Sequence, residues 1–268
     1  MVSLSTVLFL FLAHLGVGIA FTLVFVSREA GVKFFRFNAG LAAALLVIAL
    51  AFAFNTAIPS AASLKVLVAS TAVVVFYWAT IGRLFTRIRS AILIAAAAAG
   101  LAAIGLQGLE LSADQSAAMR ALAVASFLTS AAMLGGACTA MILGHWYLVI
   151  PSLEVSHLQS IVRLHIASMT ARILVVGLAI VVALTAFRPD LDVGPSFRHY
   201  IFSIDGIFFW QRVLFGLAGP AVLSYLTWET AKIRSTQSAT GILYVDVFTV
   251  VVGEVLAKYI LLATRVPV

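Results

Sequence analysis

The segment GHWYLVIPSLEVSHLQSIVRLHIASMTARIL, residues 144–174, holds the densest group of side chains able to do chemistry. His145 and His165 stand about ten residues to either side of a turn near Val155, so on two antiparallel neighbouring helices they reach similar depth and can face each other. Helical spacing also places His165, Ser168, Met169 and Arg172 on one stripe. Two imidazoles facing across a helix pair in apolar surroundings suit the axial positions of a haem b iron, with Arg163 and Arg172 at hand for the propionates. His14, further toward the N-terminus, is a third candidate ligand. The same wall of imidazole, guanidinium and hydroxyl groups, flanked by Trp146 and Tyr147, equally suits hydrogen bonds to the carbonyls of a quinone. Without any ligand, His145 belongs to an interfacial aromatic belt and His165 hydrogen-bonds a neighbouring helix.

A second constellation is Glu254 and Lys258, four residues apart and therefore on one helical face. Mutual pairing explains how both survive in an apolar run; proton relay or substrate coupling is the functional alternative. Trp210, Gln211 and Arg212 read as interfacial anchors, with Asp205 placed to pair with Arg212. Pro220, behind Gly216 and Gly219, predicts a kink or a close approach by a neighbouring helix, because proline removes one helical hydrogen bond.

Depth matters because these residues sit in a chain of 268 residues that is 63% hydrophobic and 10% charged, with a mean hydropathy of +1.14. Soluble domains carry about 25% charged residues, so a soluble globular enzyme is excluded. Cys138 is the single cysteine, which rules out a disulfide scaffold within the chain. No Walker A loop, HExxH, CxxC or GxSxG is present, so any catalysis has to be intramembrane. The net charge of +7 is spread over short segments and forms no patch that could track nucleic acid, which leaves the lipid bilayer as its natural partner.

A hydrocarbon core of about 30 Å takes about 20 apolar residues per helix. On that scale the chain divides into eight spans near residues 4–26, 38–58, 62–82, 90–109, 120–148, 158–186, 206–228 and 240–263. Arg28, Lys33, Arg36, Arg83, Arg87, Arg89, Lys232 and Arg234 fall in the connections after spans one, three and seven. The positive-inside rule makes that side cytoplasmic and puts both termini on the outer side, the periplasm of a bacterial inner membrane. The longest connection, from Arg188 to Gly206, contains turn chemistry at Pro189, Asp190, Asp192, Gly194 and Pro195, and then Phe197, Tyr200, Ile201 and Phe202, which suit a short interfacial helix.

The expected fold is an all-α integral membrane protein forming one polytopic domain over 1–268, with possible halves at 1–115 and 116–268. Arg87-Ile88-Arg89-Ser90 and Lys232-Ile233-Arg234-Ser235 follow spans three and seven, as a parallel repeat of two four-helix bundles would produce. In helix count alone this resembles the NrfD-type membrane subunits of polysulfide-reductase-like complexes. That resemblance implies quinol handling and protein partners in a larger membrane complex, and it identifies no individual residue. Three functions are thereby expected to compete. The chain is an electron-transfer subunit binding haem b or quinone near the span 5/6 hairpin, a small-solute or ion permease using Glu254, Lys258 and Arg172, or a cofactor-free assembly subunit.

Overall fold

In lipid no solvent can satisfy a backbone amide, so each long apolar run closes its hydrogen bonds within itself as a helix. The structure, a computed structural model, describes residues 2–53, 61–84, 88–150, 153–185 and 197–268. Helices run over α1 (Leu4–Leu23), α2 (Gly31–Ala53), α3 (Ala61–Thr80), α4 (Arg89–Leu111), α5 (Ala117–Val149), α6 (Val155–Thr185), the short α7 (Phe197–Phe202), α8 (Ile207–Val213), α9 (Gly219–Lys232) and α10 (Thr236–Thr264). A π-helical turn over Leu214–Ala218 joins α8 to α9 into one composite span. That makes eight helices long and apolar enough to cross a membrane, and no strand among the described residues. The protein is an all-α membrane protein.

Lys33 and Arg36 lie in the first turns of α2, which starts at Gly31 and not near residue 38. Long basic side chains at a helix end carry their charge to the interface while their stems stay in the apolar layer, so charge does not end the helix. The turn residues Arg188, Pro189, Asp190, Asp192, Gly194 and Pro195, and also Arg87, lie outside the described residues. The aromatic stretch after them forms α7.

Packing sorts the spans into two four-membered rings. Helices α1, α2, α3 and α4 contact one another in that cyclic order, and so do α5, α6, α9 and α10. The rings join through α1 and α5, with α4 also touching α5 and α1 touching α10. At the seam the backbones meet. A Cβ on Gly18 would stand 2.0 Å from the Ala131 carbonyl oxygen, and one on Gly135 would stand 2.0 Å from the Gly18 carbonyl. Small residues are what allow such an approach in a membrane, where association depends on close packing.

Candidate functional site: a buried ionic centre around Glu254

Small residues on α5 create the site. Ser126, Ser130, Gly135 and Gly136 are buried there, and a Cβ on Gly136 would touch His165 Nδ1 at 3.2 Å. Because this face carries so little volume, long side chains from α6 reach past α5 to α10.

Arg172 of α6, Arg212 of α8 and Lys258 of α10 converge on Glu254, which has no exposed surface. Its Oε1 accepts from Arg172 Nε at 3.0 Å and from Arg212 Nη2 at 2.7 Å. Its Oε2 accepts from Ser130 Oγ at 2.5 Å and Arg172 Nη2 at 3.3 Å, with Lys258 Nζ 3.6 Å away. Arg172 fills its remaining donors on the Ser126 carbonyl at 3.0 Å, the Ser126 hydroxyl at 2.5 Å and the Val268 carbonyl at 3.2 Å. Lys258 donates to Ser130 Oγ at 2.7 Å and lies over the Phe127 ring, 5.1 Å from its centroid.

Ser130 is the hub of this network. A hydroxyl has one proton and two lone pairs. Here it donates to Glu254 and accepts from Lys258, which leaves one lone pair for His14 Nδ1 at 3.1 Å. His14 therefore carries its proton on Nδ1, and its buried Nε2 has no hydrogen-bond partner. Three cationic side chains thus surround one carboxylate, and every one of them is at most 2% exposed. A buried ion pair survives only when nearly all its donors and lone pairs are occupied, which is the case for Glu254 and Arg172.

Arg212 enters from the composite span and departs from expectation. The sequence suggests an anchoring residue paired with Asp205; in the structure Asp205 is exposed and Arg212 is fully buried against Glu254. Pro220 explains the change. It has no N–H for the Gly216 carbonyl four residues earlier, and Arg212 Nη1 donates to that oxygen at 2.7 Å. The expected helix break takes the form of the π turn, and the expected close approach is made by Gly216 to Gly253, where a Cβ on Gly253 would lie 2.2 Å from Gly216 Cα. The two glycines bring the α8–α9 span against α10 at the residue next to Glu254.

A second buried pair joins α6 to α10, at His165 and Asp246. Nε2 and Oδ2 are 2.8 Å apart, yet the contact does not meet the geometry of a hydrogen bond. His145 is exposed, with Nδ1 3.0 Å from the Tyr244 hydroxyl. Tyr244 and Asp246 are two residues apart on α10 and point to different sides of it, so the two imidazoles take separate partners.

The rest of the sequence-derived set disperses. Trp146 Nε1 donates to the Ala30 carbonyl at 3.1 Å, and Arg163 stacks on Trp228 at 5.3 Å. The Tyr147 hydroxyl donates to the Glu154 carbonyl and accepts from Leu158 N–H. Beside them, at the α5/α6 turn, a cavity of about 640 Å³ is lined by Tyr147, Glu154, Ser156, Gln159, Arg234 and Thr236. Of the candidates, the structure gathers Arg172, Glu254, Lys258 and His14 into one centre and adds Arg212, Ser126 and Ser130.

Fold and site together define a polytopic α-helical membrane protein with a buried ionic centre in its second ring. No family model matches the chain, and no curated protein or solved structure matches it either.

Proposed function

We propose that the chain is a small-solute or ion permease of a bacterial inner membrane, with its basic connections cytoplasmic, both termini periplasmic and Glu254 as its coupling group. The observation that carries this reading is a carboxylate held wholly out of solvent among Arg172, Arg212 and Lys258, beside a proline-broken span with a π turn. Ionisable groups at such depth cost several kcal/mol unless paired or hydrated and by default mark a route or a switch, and π turns and interrupted helices recur where transporters bind their cargo. The Lys258–Ser130–Glu254 chain of hydrogen-bond contacts, with His14 on the same hydroxyl, gives a proton a continuous path of donors and acceptors.

Reconstitution into liposomes under an imposed pH gradient, followed with an entrapped pH-sensitive dye, tests it. Wild-type protein is expected to dissipate the gradient, and Glu254→Gln to abolish this when the two are compared at equal amounts of inserted protein. Equal flux through both proteins, or none above empty liposomes for wild type, defeats the reading.

An electron-transfer subunit binding quinone or haem b, working with protein partners, is the second reading. The cavity beside Tyr147 at the α5/α6 turn favours it, since it lies where that hairpin was expected to bind a ring. A reduced-minus-oxidised spectrum with a haem b band lost in His145→Ala or His165→Ala, or quinone-linked turnover lost in Tyr147→Phe, would put it first.

A further inference from the structure

Outside the ionic centre, the outer face of the first ring carries a furrow between α2 and α3. Two cavities of about 540 and 440 Å³ run into each other there, sharing Gly40 and Trp78. The deeper one is lined by Ala43, Ala44, Val47, Ile48 and Val75, all apolar. From Gly40 to Ile48 the helix rises about 12 Å, close to the ~15 Å depth of one leaflet's hydrocarbon. Gly40 keeps the furrow open: a Cβ there would lie 2.7 Å from Trp78 Nε1.

The upper cavity adds Lys33 and Arg36, one helical turn apart on the face that carries the basic connections. Neither has an ion-pair or hydrogen-bond partner among the described residues, and no carboxylate is among the described lining of either cavity. A slot of one-leaflet depth topped by two cations with no partner among the described residues is complementary to one kind of molecule, an acyl chain whose headgroup carries a negative phosphate.

We propose that the α2/α3 furrow is a binding site for an anionic phospholipid, with one acyl chain lying along Gly40, Ala44, Val47 and Ile48 and the phosphate held by Lys33 and Arg36. The indole of Trp78 forms the wall at the junction of chain and headgroup. The site is independent of the chemistry at Glu254.

The test is native mass spectrometry of protein extracted from vesicles containing equal parts phosphatidylglycerol and phosphatidylcholine. Wild-type protein is expected to retain phosphatidylglycerol selectively. K33Q/R36Q should lose the selectivity, and the charge-neutral Ala44→Phe, which plugs the furrow from its exposed edge, should lose the bound lipid. Gly40→Leu repeats the plug from the floor in case Ala44→Phe folds poorly. Retention by both plugged variants equal to wild type, or no preference between the two lipids in wild type, overturns the proposal. Loss in K33Q/R36Q alone also overturns it, because that pattern is diffuse attraction to a basic face.

Discussion

The two rings have the same cyclic order of neighbours and opposite interiors. Among the described residues of α1 to α4, no Asp, Glu, Lys or Arg is buried. Several polar groups enclosed there settle locally: Thr22, Asn38, Thr71 and Ser112 each donate to the carbonyl four residues earlier, and Ser70 donates to the Ala96 carbonyl across the α3/α4 contact, while the buried Gln107 amide has no hydrogen-bond partner among the described residues. The second ring buries Arg172, Arg212, Asp246, Glu254 and Lys258, and its bonds cross between helices far apart in the chain. One ring is held by packing and the other is built around charge. Among the described residues, His14 is the single side chain that the first ring contributes to the ionic centre through a hydrogen bond.

The sharpest way to break this contrast is Glu254→Ala, which strands three cations. Removing one partner of a buried pair costs about 3–5 kcal/mol, so the thermal midpoint in detergent should collapse or the protein fail to accumulate. An unchanged midpoint would mean the centre contributes nothing to the fold. Next comes the seam that joins the rings. Gly135→Leu forces a side chain into the Gly18 backbone and should cost about 3 kcal/mol, read as a lower midpoint with helical content retained by circular dichroism. Ser70→Ala in the first ring removes one neutral hydrogen bond and should cost about 1 kcal/mol in the same assay. A loss as large as that of Glu254→Ala would erase the difference between the interiors. Smallest is the exposed contact between His157 and Glu29 at 2.7 Å, where Glu29→Gln should shift stability by about 0–1 kcal/mol, less still at high salt.

What the sequence made legible follows from which forces are local. Apolar run length is local, and so the eight spans stand close to where the hydropathy puts them. The Glu254–Lys258 spacing is local too, as is the stripe that carries Arg172, and both reappear in the centre. Level between neighbouring helices is not local, because it depends on where the turn falls and how the helices slide, and direction around the axis, turning about 100° per residue, is fixed by neighbours as well. Hence His165 lies level with Gly136, nine residues and about 13 Å along α5 from His145, and the two imidazoles meet Asp246 and Tyr244 separately. Arg212 was the residue whose role went unseen. Its neighbourhood of Trp210 and Asp205 suggests an interface, and what draws it inward is the meeting of Gly216 with Gly253, two positions on different spans. The readable clue was Pro220: a helix carbonyl left without its amide is an invitation to a nearby guanidinium.

The order of the chain gives the glycine seam one more consequence. All four helices of the first ring are synthesised before α5, and membrane segments can associate as they emerge. Gly18 and His14, on one helix, are thus already in the membrane before Arg172, Arg212 or Glu254 has been made. Charged segments arriving later dock on a template and need not find one another unaided in lipid.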